Sequence, residues 1–267
     1  MFFLIFICFL VITCVVSMMM YRFHGKKQLF HLDIIQFYYL FIAGPLLFIW
    51  GKTFLFFILK QELGQIISLN EFFLIDTLFS LMAFLLFAPF AIHTITKQFS
   101  LRKNEDPEFD IFHLSEYFHL WWSHVVIYLG TMVVVTFLSI TNILVPIIFT
   151  LSKSMFLIFI LLSVILGVIS YVMIWNSDPK QERRNFMKLM KLFYGFFFTI
   201  HAGLYFFFTP KFGIEYGAFW FGLSILLTGV ICSMTFQRSK KAHRLKHWLV
   251  RPNHQENVQL FLADTKN

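Results

Sequence analysis

At 267 residues the chain has the length of one or two soluble domains, yet 58% of it is hydrophobic and only 13% is charged, about half the usual charged share. With 39 phenylalanines against 12 glycines and 7 prolines, a disordered, collagen-like or linker-rich chain is excluded, because such chains lack large apolar side chains. A soluble core of this size has no room for so many rings, so the solvent for most of this surface is lipid. The net charge of +8 follows from where Lys and Arg sit and does not point to nucleic acid.

A transmembrane helix needs about 17 to 25 mostly apolar residues. Seven stretches meet that length: 1–20, 34–59, 72–95, 118–140, 154–175, 192–208 and 214–236. They are solidly apolar and do not alternate every second residue, so helices are expected and not a barrel. The first begins without a preceding Lys or Arg and shows no small-residue cleavage box, which reads as a retained span and not a signal peptide. The sixth is the shortest. The first, third and fifth loops with the C-terminal tail carry eighteen Lys and Arg, the opposite side three. This bias places the N-terminus outside and the tail inside. The expected fold is therefore all-α and polytopic: a seven-helix domain over 1–236, then a basic tail over 237–267 in cytoplasm or matrix. No second domain and no repeat is visible.

Ionisable groups at membrane depth are costly, so each is a functional candidate. The densest set lies in FHLSEYFHLWWSHVVIYLG, residues 112–130. On a regular helix His113 and His124 fall within ~20° of each other, Glu116 is ~60° to one side and His119 ~60° beyond it. His93 at the inner end of the third span should share their depth, and His201 lies deeper in the sixth. Imidazole suits copper, zinc and iron, and haem in helical bundles is held by histidines from facing helices. This gives His93, His119, His124 and His201 as candidate cofactor ligands, and His113, Glu116 and His124 as a candidate metal set. The competing interpretation is an interfacial belt of amphipathic rings with Tyr117, Trp121 and Trp122.

Other polar exceptions carry less. Met18, Met19 and Met20 point in different directions on a helix and read as packing residues. Cys8, Cys14 and Cys232 lie in apolar runs with no CxxC spacing, as small buried hydrophobes do. Lys52 is placed to snorkel outward and Asp76 to be wetted near the outer face. Pro45 and Pro89 should distort the second and third spans. No Walker loop, GxSxG elbow, retinal-type lysine or paired acidic prenyl-transfer motif is present, so no enzymatic activity is expected.

HLDIIQFYYLFIAGPLL at 31–47 resembles the His-Met-x-Gln-His element, followed by Pro-Leu-Leu, of cytochrome oxidase assembly factors associated with copper delivery, with Phe37 at the second histidine. SHVVIYLG at 123–130, with TPKFG and the seventh span, is similar to the His then Trp-Leu-Gly pattern of copper-resistance D membrane proteins. The resemblance implies a role for His31, Gln36 and His124. Together these observations lead to a haem- or copper-handling assembly factor or accessory subunit of a respiratory oxidase. It would sit in the bacterial cytoplasmic membrane or the mitochondrial inner membrane, among lipid and other membrane subunits, without nucleic acid. The rival is a non-catalytic permease or scaffold subunit of a larger complex.

Overall fold

The computed structural model describes residues 2–24, 28–29, 32–60, 64–101, 115, 117–148, 151–176 and 186–235. It is helical apart from a two-residue antiparallel ladder, β1 (Gln28–Leu29) with β2 (Leu32–Asp33), that turns the chain between the first two helices. Among the described residues six helices are long and apolar enough to cross a membrane: Ile34–Lys60, Leu69–Lys97, Tyr117–Leu144, Lys153–Trp175, Phe186–Phe208 and Ile214–Thr235. The chain is therefore a multi-pass integral membrane protein. The N-terminal helix α1 (Phe2–His24) precedes these six; its described apolar stretch is Cys8–Met20.

The second helix is built from α2 (Ile34–Tyr38), a π-helical turn Tyr39–Ala43, and α3 (Gly44–Lys60). The π-turn has a local cause. Pro45 has no N–H to donate, and its ring would press on the carbonyl four residues back. Widening the preceding turn relieves that clash, and the Gly44 N–H bonds to Tyr39 O, five residues away. A side chain at Gly44 would lie 2.9 Å from that same oxygen.

Helix α4 (Leu69–Leu101) starts on a reciprocal cap. The Ser68 N–H donates to Glu71 Oε2 at 2.7 Å, and the Glu71 N–H reaches Ser68 Oγ at 3.3 Å. It then continues through the buried Pro89. A second π-turn, Tyr117–Trp122, leads into α5 (Ser123–Leu144). Helices α6 (Lys153–Asn176), α7 (Phe186–Phe208) and α8 (Gly217–Thr235) complete the bundle. The sixth span is longer than its apolar run, because α7 begins at Phe186 and not at Leu192. Phe186, Met187 and Met190 bury one side of its first turns, while Lys188 stays exposed.

Helices α6 and α8 run closest together. Gly167 makes this possible: a Cβ there would lie 2.9 Å from the Thr228 side chain and 3.2 Å from Ile225 Cα. Helix α4 packs on α5, and α7 on α8. Helix α1 lies against α6 and is tied to the second helix by Ser17 Oγ donating to Tyr39 Oη at 2.6 Å. Two apolar clusters fill the bundle. One, including Leu55, Ile58, Phe159 and Phe221, lies toward the end where the Ile147 N–H donates to Glu215 O at 2.8 Å. The other, including Tyr171, Trp175, Phe186 and Tyr194, lies toward the end of the basic loops. Of the cysteines, Cys232 is buried as expected, whereas Cys8 is exposed and Cys14 intermediate; all three are free thiols.

Candidate functional site

Four segments converge at the basic-loop end: α2, the C-terminal half of α4, the second π-turn and the start of α5. His93 lies on α4, one turn before Lys97. Its Nε2 is 3.1 Å from His124 Nε2 on α5, and its Nδ1 is 3.0 Å from Gln36 Oε1 on α2. The third imidazole, His119, sits edge-on to His93 with ring centroids 4.4 Å apart, and 6.2 Å from the His124 ring. Tyr128 stacks on His124 at 6.0 Å, and Phe186 closes the far side at 6.4 Å. Gln36 and His119 are buried, and so is Thr94, whose Oγ1 is 3.2 Å from the same glutamine oxygen.

The second π-turn is what assembles the trio. On a regular helix His119 and His124 are well separated around the axis. The i→i+5 closure widens the turn between them, so residues five apart come to one side. Ser123 Oγ donating to Phe118 O, also five residues back, fastens this turn. Regular-helix geometry could not place His119 here, and YFHLWW holds no proline to signal the widening. The depth expected for His93 is met: it lies in direct contact with both histidines.

His113, Glu116 and His31 lie outside the described residues. His201 is described, and it stands apart from the trio. Its Nδ1 donates to Phe197 O at 2.9 Å, and its Nε2 lies 3.0 Å from Ser139 Oγ, whose one hydrogen is also within reach of Val135 O at 2.9 Å. Ser139 is on α5, fifteen residues beyond His124 and therefore about 22 Å along the helix. One ion or one macrocycle cannot join His201 to His124 across that span.

Gln36 is the residue that reading from residue types alone passed over, since an amide in an apolar run carries no ligand signature; only the resemblance singled it out. Its burial explains its pairing: an amide removed from water needs partners, and α4 supplies them in His93 and Thr94. Tyr117, Trp121 and Trp122 do form the expected aromatic group, with Tyr117 stacked on Trp121 at 5.7 Å. The histidines, however, turn away from that belt toward each other and toward Gln36.

Chemically the trio is a set of imidazole donors. Among the described residues no carboxylate or thiolate joins it, and no three His, Cys, Asp or Glu side chains are already gathered around a common point as a metal ion requires. Two imidazole nitrogens from separate helices do face each other within the span of two metal–nitrogen bonds. No protein-family model matches the chain, nor does any curated protein or solved structure.

Proposed function

We propose that the protein is a seven-span membrane protein, its N-terminus outside and its basic tail inside, that handles copper at the His93–His124 pair. The Lys and Arg asymmetry of the loops supports the orientation, with α1 as the seventh span. The observation that carries the metal reading is the 3.1 Å approach of two ring nitrogens from different helices. Metal–imidazole bonds are about 2.0–2.1 Å, and at a tetrahedral angle two of them separate their nitrogens by about 3.3–3.4 Å. The pair needs to open by only a few tenths of an ångström, with His119 beside it as the third imidazole. A haem held between the two rings asks for more. Trans iron–nitrogen bonds put the nitrogens about 4 Å apart, with a macrocycle filling the space between, whereas these rings are directly hydrogen-bonded.

Charge favours the cuprous ion. The desolvation cost of an ion rises with the square of its charge, so burying a divalent ion costs about four times as much as a monovalent one. No carboxylate or thiolate is among the described donors, and Lys97 one turn away adds positive charge. Cu(I) accepts imidazole ligands and makes the smaller demand. The respiratory setting, in which the protein serves oxidase assembly, rests on the resemblance of residues 31–47. A second reading, a scaffold subunit, is favoured by α4: only 11% of its spanning window is covered by the rest of the molecule, against 50% for the last span. A partner helix could cover that face as well as lipid does.

The test is metal analysis of protein purified in detergent, followed by Cu(I) titration against a chromophoric chelator. One copper per chain, lost in the His93→Ala/His124→Ala double variant, is expected. A Soret band in fresh protein would move the reading to haem. Stoichiometric co-purification of a fixed partner, with no bound metal, would move it to the scaffold.

A further inference from the structure

We propose that Gln36 is a positioning residue that fixes the tautomer of His93, making His93 the constant donor of the pair and His124 the ring that must rearrange. This rests on the copper reading for its purpose, but not for its geometry. Gln36 Oε1 carries no hydrogen, so in its 3.0 Å contact the His93 Nδ1–H is the donor. A neutral imidazole has one N–H, and His93 therefore presents a bare lone pair at Nε2. Two lone pairs do not face each other at 3.1 Å, so the hydrogen of that contact belongs to His124 Nε2.

The pinning is built from buried parts. Gln36 is 3% exposed, and Thr94, also 3% exposed, places its hydroxyl within reach of both Gln36 Oε1 and Phe90 O, at 3.2 and 2.9 Å. The amide oxygen is thus held on α4 by the His93 N–H, with the Thr94 hydroxyl, whose one hydrogen it shares with Phe90 O, beside it. This is the outer-shell arrangement that sets ring orientation and ligand basicity in histidine metal sites. Gln36 itself never touches the ion. When an ion enters, His93 Nε2 is ready as it stands. His124 must first release the hydrogen on Nε2 to solvent.

The experiment uses the full chain in lipid nanodiscs with 15N-labelled histidine, His93 being assigned by difference with His93→Ala. In wild type without metal, His93 should show a protonated Nδ1 and a bare Nε2, with Nε2 of His124 protonated. In Gln36→Leu the His93 signals should move toward a mixture of tautomers, and Cu(I) affinity should fall 10- to 100-fold, the range that loss of such outer-shell partners gives. Gln36→Glu, which keeps an acceptor oxygen, should hold the tautomer and bind within about threefold of wild type. A protonated Nε2 on His93 in wild type overturns the proposal even where the leucine variant fails to fold. An unchanged His93 tautomer in folded Gln36→Leu also overturns it. If wild type binds no copper while the tautomer behaves as described, Gln36 keeps its role and the copper reading is what fails.

Discussion

His93 and His201 are both imidazoles set among apolar helices, both with one nitrogen committed to an oxygen acceptor. They differ in what the second nitrogen meets. For His201 it is the Ser139 hydroxyl, a group that can donate to it, and the ring is completely buried. For His93 it is another imidazole, held at 3.1 Å. The first offers a ligand a single ring nitrogen, set against a hydroxyl in a fully buried place. The second sets two basic nitrogens against one hydrogen, which a cation can replace with two bonds. On the proposed reading, a histidine at membrane depth is a site or a lock according to its partner, not its depth.

The sharpest way to break this comparison is to remove one ring from each. His124→Ala leaves one nitrogen of the pair, and Cu(I) affinity should fall on the order of 100-fold or more, beyond the loss from an outer-shell residue. His201→Ala should leave affinity within about twofold. Its effect should appear in stability instead, at about 1–3 kcal/mol, because Ser139 loses a buried partner. Chelator competition and reversible unfolding in mixed micelles read the two quantities separately. Equal losses of affinity in both variants would erase the distinction between the two histidines.

The lock extends further than His201. Asn142, completely buried on α5, accepts the Ala218 N–H at 2.8 Å and the Phe219 N–H at 3.4 Å, and donates to Glu215 O at 2.9 Å. It therefore caps the first turn of α8, whose own N–H groups have no partners within the helix. Ser139 Oγ touches Ala218 O at 3.2 Å, and Gly222 lets the helices approach, since a Cβ there would lie 2.5 Å from that hydroxyl oxygen. Asn142→Leu should cost about 1–3 kcal/mol by stranding these backbone groups, with Cu(I) affinity unchanged. Comparable weakening of copper binding would mean that the two ends of the bundle are one cooperative unit.

Much of this was legible in the sequence, and what was missed has physical causes. Apolar runs of spanning length are read directly, because lipid makes polar side chains costly over that distance. The shared depth of His93, His119 and His124 followed from counting along those runs. The pairing of His93 with Gln36 did not, because helix contacts 57 residues apart leave no periodic trace. His119 was misplaced around its axis because a π-turn without proline has no local signature. Lys188 and Lys191 made the start of α7 resemble loop, since long basic side chains reach water from inside a span. Ser139 and Asn142 were passed over because a small hydroxyl or amide declares its role only once the facing helix is known.

Lys52 and Asp76 complete the comparison as a third kind of polar exception. They were read as two separate charges near the outer face, one snorkelling and one wetted. Instead the Lys52 ammonium on α3 pairs with the Asp76 carboxylate on α4 and donates to Ser80 Oγ at 3.1 Å. Each side chain is about a third exposed, 30% and 31%, so the pair is neither sealed like His201 nor converging on a lone pair like His93. Partial exposure limits its worth: pairs open to solvent typically couple by about 0.2–1 kcal/mol. A double-mutant cycle over Lys52→Met and Asp76→Leu should give a coupling in that range, the smallest effect among these variants. Each single change should destabilise more than the double, because it leaves one charge at membrane depth without its partner. A double variant less stable than both singles would mean that the charges serve something other than each other, and would move this pair from a fastening to a candidate site.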